Sequence, residues 1–242
     1  MASEAHPKID FVAPTSRRRS RARVAVLALE GAARAELKDA FTVASRYDRA
    51  ALLVAVDGGL ATCRGMRRRP DLFVGDLDSV RVPPRGIPST VYPAAKDFSD
   101  FAGALLAARS LGAEVLVIAG LLGGRLDHEW ANLLEAGAAA PGFLGILAPS
   151  SKGLVVVTAA GVRARTVAGS LMSVFALRRD ARVSLRGTHW TISKRRLAPG
   201  SRGLSNVTGR DVALDVHEGV AMLVFPSVTR VRRAGDAAPK RG

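Results

Sequence analysis

The chain has 242 residues, 48% apolar and 24% charged, a composition that builds a packed core and excludes wholesale disorder. No apolar run approaches the roughly 20 residues of a membrane span, and the single cysteine, Cys63, excludes an internal disulfide framework or a multi-thiolate zinc site and points to a reducing compartment. The net charge of +15 is concentrated: +4 in residues 1–23, +4 in residues 230–242, and ten basic residues against Asp180 alone in 162–202, while 24–161 carries 14 charges of each sign.

Residues 1–23 and 230–242 read as basic, solvated tails, and nucleic acid is not expected as a partner. The apolar stretch after Arg17 to Arg23 is too short for a secretory segment, and Glu4 and Asp10 disfavour a transit peptide, so the cytoplasm is the expected location. Residues 24–29 predict a buried strand, and 34–45 a weak helix. Two further apolar runs, 51–56 and 72–74, end in Asp57-Gly58-Gly59 and Gly75-Asp76-Leu77-Asp78-Ser79. Phe98, Phe101, Ala102, Leu105 and Leu106 recur at helical spacing over 98–111, with Gly112 as the stop. A strand over 115–118 and a helix over 126–139, burying Leu126, Trp130, Leu133 and Leu134, complete the first half.

After Gly153 the texture becomes β-rich, with short strands at 154–158, 171–177, 181–185, 190–192, 212–216 and 221–225. The expected fold class is α/β: an N-terminal parallel α/β sheet domain over 24–150, followed by a C-terminal antiparallel β-sandwich over 151–229. Pro149 to Gly153 reads as the linker between them.

Six carboxylates stand at strand ends or helix starts: Asp57, Asp76, Asp78, Asp97, Asp100 and Asp127. Ligands of open α/β sheets bind outside the carboxyl ends of the strands, and so many acids there require a cation, with magnesium the best match to oxygen donors. On an extended segment, Asp76 and Asp78 would face one side together. Lys96 is a candidate phosphate ligand. Gly123-Gly124-Arg125-Leu126-Asp127-His128, with Asn132 one helical turn beyond His128, offers backbone amides and a charged fork to a phosphate. There is no GxxxxGK[ST] and no GxGxxG, so the phosphate-binding loops they mark are excluded.

In order and spacing, these four blocks resemble the thiamine pyrophosphokinase family, with its DGG turn, GD[FL]DS segment, KDxTD helix start and GGRxDHxxxN block. Leu204-Ser205-Asn206 is similar to that family's [IL]SN signature, and Trp190 lies where the family often has an aromatic. The likeness spans roughly 24–228. It implies a diphosphotransferase that uses ATP, Mg2+ and thiamine to make thiamine diphosphate and AMP. By the same resemblance, Asp76, Asp78, Asp100 and Asp127 are catalytic, with Asp76, Asp78 and Asp100 on the metal. Asp57, Gly58, Gly59, Lys96, Asp97, Gly123, Gly124, Arg125, His128 and Asn132 would hold ATP. Trp190, Ser205 and Asn206 would meet thiamine in a pocket between the subunits of a homodimer. The chain departs from the family at Ala102, where a Glu is usual, and at Ser99, where Thr is usual; Leu60-Ala61 replaces the common Ala-Asn. A diphosphokinase for another alcohol, such as a hydroxymethylpterin, and a non-catalytic nucleotide or nucleic-acid binder on the same fold are the alternatives.

Overall fold

The computed structural model describes residues 6–12, 23–79 and 82–227. In chain order the first half comprises β1 (Lys8–Val12), β2 (Val24–Ala28), α1 (Arg34–Ala44), β3 (Leu52–Val56), α2 (Gly59–Gly65), β4 (Leu72–Gly75), β5 (Ser89–Val91), α3 (Asp100–Ser110), β6 (Val115–Ala119), α4 (Leu126–Ala139) and β7 (Gly145–Ser150). The second half is all strand: β8 (Gly153–Thr158), β9 (Gly161–Arg165), β10 (Leu171–Ala176), β11 (Ala181–Thr188), β12 (Ile192–Leu197), β13 (Asn206–Glu218) and β14 (Ala221–Pro226). Among the described residues no helix is long and apolar enough to cross a membrane.

Strands β7, β6, β2, β3, β4 and β5 lie side by side in that order and run parallel. Every residue of β2 and β6 is buried. Helices cover both faces of such a sheet, so its central strands read as unbroken apolar runs and not as alternation. Leu37, Ala40 and Val43 of α1 and Leu60 and Cys63 of α2 pack on one face. Phe101, Ala104, Leu105 and Ala108 of α3 and Ala136 of α4 pack on the other. From β2 the chain builds outwards through β3, β4 and β5, then returns to add β6 on the opposite side of β2. That reversal opens a crevice at the carboxyl ends of β2 and β6.

Pro149 to Gly153 is a tight hairpin and not a linker. Ser150 pairs with Gly153 across it, and β8 continues the sheet antiparallel to β7. Gly153 has φ of 137°, and a Cβ there would collide with the backbone oxygen of Phe225. Only glycine combines that backbone angle with so close an approach. Strands β14 and β10 extend the sheet further. Two residue pairs, Leu171 with Val207 and Met172 with Asn206, then join β10 to the long β13, which pairs with β9 and β11. The molecule is thus mixed α/β, organised on one large, continuously paired sheet.

Four further expectations change. Residues 8–12, read as solvated tail, form an edge strand on β9. Ile9 is buried there, and Phe11 stacks on Tyr47 with ring centroids 6.0 Å apart. The alternation in this short strand covers an apolar patch that a tail would leave wet. Helix α3 starts at Asp100, because Ser99 caps it by accepting the N–H of Ala102 at 3.0 Å. Phe98 therefore lies outside the helix, edge-on to Tyr92. Helix α4 has the expected bounds but not the expected inner face. Its buried residues are Ala136 and Gly137, while Leu126 is 81% and Trp130 64% exposed, and Leu134 is also exposed. The strand expected at 190–192 begins at Ile192, leaving Trp190 in the preceding turn. The expected tail at 230–242 lies outside the described residues.

Candidate active site

A cavity of about 580 Å³ opens at the carboxyl ends of β2, β3, β4 and β6, with Asp57, Asp76, Asp78, Lys96, Asp100 and Arg125 in its wall. Asp57 follows β3 with φ of 46°, and its N–H donates to the carbonyl of Val74 at 2.8 Å. That bond ties the end of β3 to the end of β4. A Cβ on Gly59 would overlap the carbonyl oxygen of Ala28, so the second glycine of the Asp-Gly-Gly turn lets α2 start against the end of β2.

Asp76 and Asp78 converge by a turn and not by strand alternation. Leu77 between them has φ of 71°, and the N–H of Asp78 donates to Asp76 Oδ1 at 3.2 Å. Ser79 Oγ donates to Asp57 Oδ2 at 2.7 Å and lies 3.1 Å from Asp78 Oδ1. Asp57, Asp76 and Asp78 each present an oxygen, and these oxygens lie within 4.8 Å of one another. Asp57 Oδ1 is buried without a hydrogen-bond partner among the described residues. A buried, unpartnered carboxylate oxygen beside two others fits a hard divalent cation, for which oxygen donors are the preferred set. The geometric trio therefore contains Asp57, while Asp100 stands against Lys96.

Lys96 Nζ lies 2.8 Å from Asp76 Oδ2 and 3.2 Å from Asp100 Oδ1, and its side chain is only 7% exposed. Its hydrogen bond to Asp76 holds that carboxyl below the usual carboxylate range. Burial pushes Asp100 up, and the ammonium only partly offsets this. Burial alone would lower Lys96, but Asp76 and Asp100 together raise it. Lys96 is thus a fixed cation within the acid cluster. At the mouth, Arg125 Nη2 meets Asp127 Oδ2 at 2.6 Å, both groups exposed. The pair lowers Asp127 and raises Arg125. Gly124, His128 and Asn132 also line the cavity, and Asn132 Nδ2 donates to the carbonyl of Leu121 at 3.4 Å.

Residues 43–138 match the family described as thiamin pyrophosphokinase, catalytic domain. This segment belongs to that family. It runs from the last residues of α1 into α4 and contains every acid of the cluster. Among solved structures, the thiamine pyrophosphokinase of Bacillus subtilis superposes with a TM-score of 0.70 at 18% identity, covering 86% of this chain and 100% of that one. The enzyme of Geobacillus thermodenitrificans gives 0.66 at 22% identity, covering 85% and 98%. That of Candida albicans gives 0.59 at 11%, covering 93% and 100%. At these identities the likeness speaks for the fold. No curated protein matches the chain by sequence.

Several expected residues stand apart from this cavity. Asp97 is exposed and, like Gly58, Gly59, Gly123 and Asp127, is not in its wall. Trp190, Ser205 and Asn206 lie beyond the matched segment, and the wall contains no residue after Asn132. Asn206 is buried and brackets the Trp190 backbone, accepting its N–H at 3.1 Å and donating to its carbonyl at 2.7 Å. The Trp190 ring is exposed, edge-on to His189. Ala102 is also outside the cavity. It lines a separate groove between α3 and α4 together with Glu135, whose carboxylate accepts from Ser99 Oγ at 2.7 Å. Sequence reasoning missed two acidic wall residues, Glu30 and Glu129. Glu30 follows β2 as Asp57 follows β3, so the same strand-end rule would have found it. Glu129 accepts the N–H of Gly123 at 2.6 Å, a loop contact without a spacing signal.

Proposed function

We propose that the protein is a thiamine diphosphokinase, transferring diphosphate from ATP to the hydroxyl of thiamine to give thiamine diphosphate and AMP. The observation that carries the reading is the convergence of Asp57, Asp76 and Asp78 beside the fixed ammonium of Lys96, within the matched segment. The thiamine hydroxyl oxygen attacks the β-phosphorus. The bond from that phosphorus to the oxygen bridging it to the α-phosphate breaks, the oxygen departs with AMP, and the hydroxyl proton is lost. Such transfers depend on positioning and charge neutralisation more than on covalent help from the protein. Asp57, Asp76 and Asp78 would hold Mg2+, which would supply neutralisation of the phosphate oxygens. Lys96 keeps Asp76 ionised. Arg125, oriented by Asp127, holds outer phosphate oxygens at the mouth, beside the backbone of Gly124. Asp100, raised by burial and facing the Lys96 ammonium, receives the hydroxyl proton.

In this reading residues 24–150 bind ATP, and the strand-rich part of the chain that follows carries the thiamine contacts Trp190, Ser205 and Asn206. Because those residues stand outside the acid cavity of their own chain, the thiamine pocket is completed by a second copy. The exposed apolar stripe of Leu126, Trp130 and Leu134 supports a homodimer. The setting is cytoplasmic. Purified protein with Mg2+, ATP and thiamine should yield AMP and thiamine diphosphate in equal amounts. Product with a hydroxymethylpterin but not with thiamine would reassign the acceptor, and ATP binding without turnover of either would leave a binder on the same fold.

A further inference from the structure

A second, larger cavity of about 880 Å³ lies at the opposite end of α2 from Asp57 and Gly58. Arg64, Arg67, Arg68, Arg69 and Arg85 stand around it, and no carboxylate lines it. Arg68 stacks over the ring of Phe41 at 3.8 Å, and Arg69 donates to the carbonyl of Gly86, tying the two walls together. Arg64, Arg67 and Arg85 are exposed, and their guanidinium groups make no hydrogen bond or ion pair among the described residues. Guanidinium groups stay charged at any accessible pH and match phosphate oxygens two at a time. Their mutual repulsion in one cleft is relieved by an anion. Between them the floor is apolar, formed by Leu60, Pro70, Pro84 and Ile87. Pro70 and Pro84 are buried and rigid in φ, so the floor is preformed.

We propose that this arginine cleft is a second ligand site, separate from the acid cavity, that takes a nucleoside polyphosphate. Its phosphates meet Arg64, Arg67 and Arg85, while the flat base lies on the apolar floor and against an arginine face. A bare polyphosphate would use the rim alone, and a nucleic acid would need a basic track longer than one cleft. The position also connects the cleft to the acid cavity. Helix α2 starts beside Asp57 and ends at Arg64 and Gly65, and the wall at residues 82–87 follows Ser79 in the chain.

The test is calorimetric titration of the full chain with metal-free ATP at physiological salt. It compares the parent, R67S/R85S, R67K/R85K and the acid-cavity variant K96A. Binding should persist in K96A, weaken at least tenfold in R67S/R85S with an unchanged thermal transition, and weaken less in R67K/R85K. This outcome is independent of whether the protein turns over thiamine. Equal binding by the parent and R67S/R85S would overturn the site. Inorganic tripolyphosphate binding as tightly as ATP would overturn the nucleoside assignment. Tighter binding of a single-stranded oligonucleotide, lost in the same variant and fading steeply with salt, would replace it with nonspecific nucleic-acid attraction.

Discussion

Replacing Lys96 with Met would remove the cation that separates Asp76 from Asp100 while keeping the length of the side chain. Loss of one partner from a fully buried ion pair costs several kcal/mol, but this cleft is open to water at its mouth, which places the loss at about 2 kcal/mol. Because Lys96 holds Asp76 below its ordinary value of 3.8, the pair stabilises the fold above that pH, and the contribution is lost as the pH falls through the lowered value. K96M should therefore melt below the parent at neutral pH and approach it in acid. Its diphosphate transfer should fall by about a hundredfold, the scale of losing one preorganised charged donor. Equal melting curves at pH 7 would show that the pair contributes nothing. Ala102 leads to a different expectation. Burial raises Glu135 against the opposing hydrogen bond from Ser99, so its ionisation disfavours the fold, and that penalty grows as the pH rises through the raised value. A glutamate at 102 would add a second carboxylate to the same groove. A102E should keep the parent's magnesium requirement and melt lower at pH 7, with the difference shrinking towards pH 4.5. A reduced magnesium requirement would instead place position 102 in the metal site.

At the scale of elements, β1 offers the clearest measurement. Tyr47 donates its hydroxyl proton to the carbonyl of Ile9 at 2.6 Å, Ile9 is buried, and Phe11 fills the space that a side chain at Gly145 would need. Removing residues 1–12 should cost about 3 kcal/mol and lower Tm by roughly 10 °C; an unchanged transition would mean that β1 adds no stability. This strand also shows what the sequence conceals. Strands β2, β3 and β6 were legible because burial on both faces demands continuous apolar runs. Strands β1, β5 and β9 read KIDFV, STV and GVRAR, too short or too charged to declare themselves, and pairing with distant neighbours selects them. Helix α4 was legible in its bounds and misleading in its face, because periodicity reveals an apolar stripe without saying what covers it. At the site, the identity of the acids was legible from their strand-end positions. Their grouping was not: the left-handed turn at Leu77 and the reach of Lys96 decide which carboxylates meet.

For the whole molecule, the acid cavity and the Trp190 turn occupy separate places in one chain, while Leu126 and Trp130 project uncovered beside the cavity mouth at Arg125. If the proposed homodimer forms through this stripe, replacing Leu126 and Trp130 together with Asp should convert it into a species of 25.4 kDa and raise KM for thiamine more than for ATP. A parent already at the monomer mass would refute the shared pocket.

The hairpin at Gly153 has a consequence for synthesis on the ribosome. Strand β8 emerges before its outer neighbour β14, the last strand among the described residues, and Val155, Val156 and Val157 must wait for Met222, Leu223 and Val224. For the time taken to translate the intervening residues, a valine-rich edge stands open to any passing strand. The parallel half therefore cannot be sealed as it leaves the exit tunnel, and the nascent chain should depend on a holding chaperone until residue 226 is clear.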